Sequence, residues 1–182
     1  MRKALYILGI LDDSDVSWLA SAGKARSLSA GSVIIQQGVP VDSVFIVLDG
    51  QLQVYSESVK IANLSAGEIV GEISFVDSRP PSASVKAAID SQVLAVPKSA
   101  LNAKLEKDLG FASRFFLSLA TFLADRLRVA DARLSAGQKG VEGEFQDDLD
   151  ELHTNMLENI ALASARFDMI IRRLAQSARN SA

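Results

Sequence analysis

Cysteine is absent from the sequence, and histidine occurs once, at His153. The lack of cysteine excludes disulfide bonds, thiolate metal sites and thiol catalysis. A zinc cluster or a serine–histidine–aspartate site would have to rest on His153 alone, and that residue lies on the polar side of a helical pattern. Nothing in the sequence assembles a nucleophile, a base and an orienting group. We therefore predict no metal, no cofactor and no catalytic residue, and we expect a protein that is not an enzyme.

The sequence also has no excess of positively charged residues. The chain has 19 lysine and arginine residues against 22 aspartate and glutamate residues, for a net charge of −3. Proteins held mainly by phosphate backbones are usually basic. No apolar run approaches the roughly 18 residues of a membrane span. The apolar N-terminal stretch is followed at once by Asp12 and Asp13, which is unlike a signal peptide. We expect a cytoplasmic protein that neither binds nucleic acid nor inserts into a membrane.

Proline is absent from Lys98 to the end of the chain, and all four prolines lie between residues 40 and 97. Proline costs about 3 kcal/mol inside a helix, so a long stretch without it favours helices. The acidic run from Asp12 can cap an early helix that ends at Gly23. The distribution predicts an α+β protein with strands in the middle and helices on both sides.

Short strands joined by glycine turns are predicted between residues 24 and 97. The dipeptide Asp49-Gly50 separates two β-like runs and is a strong hairpin signal. Many short strands at regular spacing indicate a β-roll, or jelly roll, of about eight strands. Individual strands are expected at 32–37, 43–48, 51–55, 59–64, 83–89 and 92–96.

Three helices are predicted after the strands. A short helix covers 98–107, and a long one covers 109–136, with Arg126 and Arg128 expected on its solvated side. Three glycines then indicate a linker at 137–144 that separates a first domain, residues 1–136, from a C-terminal segment, residues 145–182. That segment carries an amphipathic helix whose apolar residues recur every three or four positions. The predicted dimer or partner contacts on this stripe are Phe145, Leu149, Leu152, Met156, Ile160, Phe167, Ile170 and Leu174.

One segment carries a functional motif: residues 67–85, with the sequence GEIVGEISFVDSRPPSASV. It resembles the phosphate-binding cassette of the cyclic nucleotide-binding domain, the family of catabolite activator protein and of protein kinase A regulatory subunits. That cassette reads Gly-Glu-aliphatic-Ala/Ser and then, after about six residues, Pro-Arg-Ser/Ala-Ala-Thr/Ser. The resemblance extends over residues 5–135. The residues that match are Gly71, Glu72, Ile73 and Ser74 in the first half and Pro80, Ser82, Ala83 and Ser84 in the second half.

The resemblance implies a role for each part of the cassette. A turn at Gly71 opens a short helix whose free N–H groups face an anion. In the family, the glutamate that matches Glu72 accepts a hydrogen bond from the ribose hydroxyl. The residues that match Ala83 and Ser84 bring donors to the cyclic phosphate. As alternatives, Glu72 satisfies only backbone donors at the start of a helix, and Ser82 and Ser84 simply begin a strand.

The sequence departs from the family at Pro81, where the cassette arginine is expected. Proline has neither a guanidinium group nor a backbone N–H. Arg79 lies two residues earlier, before the pair of prolines, and does not occupy the arginine position. The loss of one charged hydrogen bond weakens binding by roughly 10- to 150-fold. We therefore expect weak or absent binding of cyclic AMP and cyclic GMP, and we keep a genuine receptor for a cyclic mononucleotide or a cyclic dinucleotide as the alternative.

The C-terminal segment has no second recognition helix, no wing strands and no basic surface, so a winged helix-turn-helix domain is not predicted. The apolar stripe from Phe145 to Leu174 would extend about 45 Å at 1.5 Å per residue, which is longer than the domain beneath it. Burial against a second copy of the chain, or against a helix of another protein, is therefore expected. Together these features predict a regulatory or sensor protein that acts as a homodimer or through a protein partner.

Overall fold

A computed structural model describes residues 5–139 and 153–180 of the chain. The predicted α+β architecture is confirmed, with eight strands between residues 24 and 97 and helices on both sides. No helix within these described ranges is long and apolar enough to cross a membrane. The elements in chain order are α1 (Leu5–Ile10), α2 (Asp13–Ala22), β1 (Lys24–Leu28), β2 (Val33–Ile35), β3 (Ser43–Asp49), β4 (Gln51–Ser56), β5 (Val59–Ser65), β6 (Ile69–Val70), α3 (Ile73–Val76), β7 (Ser84–Ala87), β8 (Ser91–Pro97), α4 (Lys98–Lys107), α5 (Leu109–Lys139) and α6 (His153–Asn180).

The strands form two antiparallel four-stranded sheets. The first sheet has the order β1-β8-β3-β6, and the second has the order β2-β7-β4-β5. The hairpin predicted at Asp49-Gly50 is wrong, because β3 and β4 do not pair with each other. Gly50, whose φ of +87° suits glycine, forms a turn between the two sheets. Because consecutive strands β3 and β4 lie in different sheets, this turn passes the chain from one layer of the roll to the other.

Alternating side chains of β3 divide the interior into two cores. Phe45 and Val47 face the second sheet and pack in a cluster between the two sheets. Val44, Ile46 and Leu48 face the other way and pack against the helices. Successive side chains of a strand point to opposite faces, so one apolar strand serves both cores.

Helix α2 is joined to α5 by a pair of acidic residues at its start. Asp12 is the N-cap of α2 and accepts a hydrogen bond from the backbone N–H of Asp15, whose side chain bonds back to the N–H of Asp12. The buried Asp15 carboxylate also accepts two hydrogen bonds from Arg114, at 2.6 and 2.9 Å. This fixes the first half of α5 over the N-terminal helices.

The packing of the C-terminal helix α6 is not the expected one. Its apolar stripe was expected to be buried against a second copy of the chain or another protein, outside the first domain. In the structure α6 packs on α1 and α2 of its own chain. Ile170 is buried there, and Phe167 and Leu174 are partly buried against the same core. The physical reason is that α1 lies between α5 and α6, so its apolar side chains need cover from both helices.

Helix α5 continues through Gly137 to Lys139, three residues beyond its predicted end, and the domain boundary itself stays a prediction. The remaining linker residues, 140–144, lie outside the described residues. So do three of the predicted contact residues, Phe145, Leu149 and Leu152. Met156 and Ile160 are described only as part of the helical backbone of α6. A dimer through this segment stays a prediction.

Arg166 anchors α6 to the N-terminal helices. This buried side chain donates hydrogen bonds to the carbonyl oxygens of Leu8 and Gly9, at 3.0 and 3.1 Å, near the end of α1. It also pairs with Asp13 at 2.8 Å, in the first turn of α2. The carbonyls at a helix end lack partners within the helix, and Arg166 supplies a charged one.

We expect Arg166→Ala to lower the free energy of unfolding by about 1.5–3 kcal/mol, because buried carbonyls lose a charged donor. Amide hydrogen exchange in α6 should accelerate more than exchange in α5. Arg173→Ala, which removes an exposed arginine of the same helix, is the matched control and should change little. Equal effects of the two substitutions would contradict an anchoring role for Arg166.

Candidate ligand-binding site

The cassette begins at a turn that requires glycine. Gly71 follows β6 with a φ of +88°, and a Cβ atom there would lie 3.1 Å from the carbonyl oxygen of Ser43. The turn leads directly into Glu72, which precedes the first turn of α3. The Glu72 side chain is 2% exposed, so the carboxylate points into the protein.

Arg126 of α5 is the ionic partner of Glu72. Its Nη1 atom donates to Oε1 of Glu72 at 2.5 Å, and its guanidinium group lies 4.7 Å from the centre of the Phe122 ring. The expectation that Arg126 is solvated was therefore wrong, whereas Arg128 is exposed. Arg126 lies four residues after the buried Phe122, so it continues the face of α5 that packs on the domain.

Burial raises the pKa of Glu72 above its ordinary value of 4.5, because the charged form loses hydration. The Arg126 guanidinium opposes this rise, and so do the backbone N–H groups of Glu72 and Ile73. Glu72 makes no side-chain capping hydrogen bond to α3, so the alternative in which it satisfies only backbone donors at the start of a helix is not what the structure shows. Its carboxylate is paired with Arg126 instead.

Both halves of the cassette line one small cavity of about 70 Å³. Ligand pockets are typically about 300–1,000 Å³, so the cavity must widen before a nucleotide can enter. Its wall contains seven of the eight predicted site residues together with Arg126 and four apolar side chains of the roll. The predicted residues in the wall are Gly71, Glu72, Ile73, Ser74, Pro81, Ser82 and Ala83; the apolar ones are Ile35, Val54, Val70 and Val85.

Ser84 is the predicted site residue that the cavity does not include. Its hydroxyl oxygen accepts a hydrogen bond from the backbone N–H of Gln37 at 2.9 Å. It therefore connects the start of β7 to the loop after β2. The alternative in which Ser84 begins a strand agrees with its position as the first residue of β7.

Pro81 forms part of the cavity wall and offers no cation there. Its carbonyl oxygen accepts a hydrogen bond from the N–H of Gly38 at 2.9 Å. Arg79 is exposed and is not among the residues that line the cavity. Arg126 is the cationic side chain of the described lining, and it belongs to α5 rather than to the cassette.

Lys98 is a cassette contact that the sequence analysis missed. Its Nζ atom donates to the backbone oxygen and the hydroxyl of Ser74, at 3.0 and 2.9 Å, and the Ser74 hydroxyl donates to the Gly71 carbonyl at 3.1 Å. Burial lowers the pKa of Lys98, while Asp77 and Asp42 oppose that change. Lys98 thus ties α3 to the start of α4, and no spacing in the sequence indicates this pairing.

Neither the metal-ligating residue types nor the surface of α6 forms a site comparable to the cassette cavity. Among residues 5–139 and 153–180, no group of three or more histidine, cysteine, aspartate and glutamate side chains could hold a metal ion. A wider surface depression of about 600 Å³ lies along α6 near Met169, Arg172 and Arg173, but a single helix lines it. Of the two depressions, the one at the cassette brings polar and apolar groups of several elements together.

Comparison with known proteins finds one family. Residues 25–108 match the family model described as the cyclic nucleotide-binding domain. The chain is similar to the cGMP-dependent protein kinase egl-4 of Caenorhabditis briggsae, with 36% identity over 70 residues, which is 38% of this chain and 9% of the kinase. The chain spans 9% to 38% of the length of five curated relatives to which it is similar.

Two solved structures share the fold. A cyclic nucleotide-binding domain from Methylobacillus flagellatus has a TM-score of 0.67 and 22% identity, and the match covers 79% of this chain and 85% of that one. The catabolite activator protein of Thermus thermophilus has a TM-score of 0.59 and 22% identity, with 92% and 85% covered. At these identities the likeness supports the fold alone.

We expect the pH dependence of stability to differ between the wild type and Glu72→Gln. A raised pKa means that the folded state holds the Glu72 proton at a pH where the unfolded state has lost it. The free energy of unfolding of the wild type should therefore fall, relative to the variant, as the pH rises through the region just above 4.5. Denaturant titrations at a series of pH values measure this difference. A wild-type advantage that grows with pH would mean that Arg126 outweighs burial.

Proposed function

Because residues 25–108 belong to the cyclic nucleotide-binding domain family, we propose that this chain is a non-catalytic regulatory or sensor protein that binds cyclic AMP and cyclic GMP weakly or not at all. The observation that carries the proposal is Pro81, which lines the cavity at the position of the cassette arginine. Six other predicted residues of the cassette still line the cavity, so the site keeps its place in the fold while lacking the cassette cation expected for a cyclic phosphate.

Electrostatics supports weak binding. An anion placed in a protein interior needs a counter-charge or several donors, because burial removes its hydration. At Pro81 it finds neither a guanidinium group nor an N–H. The cation of the described lining, Arg126, is already paired with Glu72. A cyclic phosphate would have to break that pair or remain without a cationic partner.

A second candidate function is a genuine receptor for a different cyclic mononucleotide or for a cyclic dinucleotide. Arg126 is the observation that favours it, since this arginine lines the cavity from α5 and not from the cassette. A ligand with its negative charge towards α5 would find a cation there. Such a ligand would have to move Arg126 away from Glu72 and widen the cavity.

Helices transmit the output of this proposed sensor. Arg126 lines the cavity and belongs to α5, a helix of 31 residues. A change at Glu72 therefore acts directly on a long element that reaches well beyond the β-roll. We propose that the chain works as a cytoplasmic homodimer, or with a protein partner, through these C-terminal helices and without binding nucleic acid.

Calorimetry with the wild type and Pro81→Arg tests the ligand proposal. We expect weak or absent binding of cyclic AMP by the wild type and an affinity roughly 10- to 150-fold higher in the variant, because a charged hydrogen bond is gained. Pro80→Arg is the matched control, since it adds the same charge to an exposed neighbouring proline and should gain little.

Three outcomes separate the possibilities. Submicromolar binding of cyclic AMP or cyclic GMP by the wild type would contradict weak binding. Tight binding of a cyclic dinucleotide by the wild type, abolished in Glu72→Ala, would establish the second candidate. No gain in Pro81→Arg over Pro80→Arg would contradict a cassette that still admits a nucleotide.

A further inference from the structure

The wall of the cassette cavity is mostly apolar. Ile35, Val54, Val70 and Val85 come from four different strands, β2, β4, β6 and β7, and all four side chains belong to the core between the two sheets. The cavity is therefore an extension of that core. Such a wall favours the apolar part of a ligand, because that part leaves water when it binds.

The two ionisable groups of the described lining neutralise each other. Glu72 and Arg126 form an ion pair inside the wall. An anion in the cavity would compete with Glu72 for the guanidinium group, and a cation would compete with Arg126 for the carboxylate. Either ligand would leave one member of the pair without its partner, which is costly in a buried site. An uncharged ligand leaves the pair in place.

The Glu72 carboxylate is the acceptor that a ligand in this cavity meets. A carboxylate accepts about four hydrogen bonds, and Arg126 uses part of this capacity. The Ser74 hydroxyl is already engaged in two hydrogen bonds, and Ser82 is exposed to water. A ligand that donates a hydrogen bond to Glu72 therefore suits this wall better than a ligand that only accepts one.

The volume of the cavity restricts the size of the ligand. An engineered apolar cavity of about 150 Å³ binds benzene. The cassette cavity, at about 70 Å³, is roughly half as large. Without widening, it therefore admits a ligand of roughly four non-hydrogen atoms.

We propose that the cassette cavity binds a small uncharged molecule with an apolar body and one hydroxyl group, the class of the short-chain alcohols. The hydroxyl donates to Glu72, and the apolar body packs on Val54, Val70 and Val85. This inference names the ligand class of the proposed sensor and rests on that function, since a chain that bound cyclic AMP tightly would already have its ligand. The ion pair that opposes a cyclic phosphate is also what selects an uncharged molecule.

Three probes with matched heavy-atom skeletons test the ligand class in NMR titrations of the full chain. Propan-2-ol donates a hydrogen bond, acetone only accepts one, and acetate is an anion. Propan-2-ol should shift the amide signals of Gly71, Ile73 and Ala83 with a millimolar dissociation constant, because so small a ligand makes few contacts. Acetone should bind at least about 10-fold more weakly, since it cannot donate to a charged acceptor. Acetate should cause no saturable shift.

The amide signals of β1 are the internal reference for general solvent effects. Strand β1 lies at one edge of the first sheet, and β6, which contributes Val70 to the cavity, lies at the other edge. Saturable shifts should therefore be confined to the cassette and its neighbours. Equal shifts in β1 and in the cassette would contradict binding in the cavity.

Filling the cavity should remove the binding of propan-2-ol. Ala83→Leu enlarges a side chain of the wall and should abolish the shifts at Gly71 and Ile73. Ala30→Leu, which enlarges an exposed alanine between β1 and β2, is the matched control and should bind propan-2-ol as the wild type does. Well-dispersed amide spectra would show that both variants are folded. Equal titration of the two variants would contradict binding at the cassette.

Glu72→Gln provides a second measurement that does not depend on filling the cavity. The substitution keeps the size of the side chain but removes its charge, so Arg126 loses its counter-charge. The variant should bind acetate at least about 10-fold more tightly than the wild type does, because the guanidinium group becomes available to an anion. Glu106→Gln, at an exposed residue of α4, is the matched control and should not gain acetate binding. No difference between the two variants would contradict exclusion of anions by the ion pair.

The remaining outcomes separate this inference from the proposed function. Equal affinities of the wild type for propan-2-ol and acetone would contradict a hydrogen bond to Glu72. The absence of any saturable shift with propan-2-ol would remove this inference alone, and weak binding of cyclic AMP would still stand. Submicromolar binding of cyclic AMP in the calorimetry would remove the proposed function and this inference together.

Discussion

The ion pair between Glu72 and Arg126 is the interaction on which the cassette and the long helix both depend. A carboxylate that is only 2% exposed needs a partner, because an unpaired buried charge is very costly. The cassette supplies backbone donors, but its expected arginine is Pro81. The cation comes from α5, and the stacked rings of Phe111 and Phe115 hold the earlier turns of that helix on the domain. The site is therefore built from two parts of the chain that are 54 residues apart.

This arrangement links the cavity to the surface of the protein. The domain uses one face of α5 to close a cavity of about 70 Å³ and leaves Leu109, Phe116 and Leu127 of the same helix exposed. Helix α6 covers α1 and α2, where Arg166 completes the hydrogen bonds at the end of α1. The two long helices thus have different roles: α6 stabilises the N-terminal helices, and α5 completes the wall of the candidate ligand site.

Local patterns were sufficient to predict most of the fold. Asp49-Gly50 and the alternating strands around it define the β-roll, and the Gly71-Glu72 pair identifies the cassette. Strands β1 and β6 were missed: β1 is almost entirely exposed and has no apolar alternation, and the two-residue β6 is too short to show a period. The partner of Glu72 could have been inferred, since Arg126 continues the buried spacing of Phe115, Leu119 and Phe122. The partner of Lys98 could not, because it depends on how two distant segments meet.

The surface on which α6 packs could not be predicted from the sequence, for a related reason. An amphipathic stripe shows that a helix must be buried but does not identify the surface that buries it. Arg166 was the available signal, because it interrupts the stripe between Ala163 and Ile170, and an arginine among apolar positions indicates a specific polar partner. Here the partners are the carbonyls of Leu8 and Gly9 and the carboxylate of Asp13.

The pKa of Glu72 is the most direct test of the central claim that α5 closes the cassette through this ion pair. Carbon-13 NMR of the glutamate carboxyl groups, with the Glu72 signal assigned from its loss in Glu72→Gln, measures it in the folded protein. We expect Glu72 to titrate above its ordinary value of 4.5, and we expect Arg126→Gln to raise its pKa further, because the carboxylate loses its cation. A Glu72 that titrates at 4.5 and does not respond to Arg126→Gln would contradict the account.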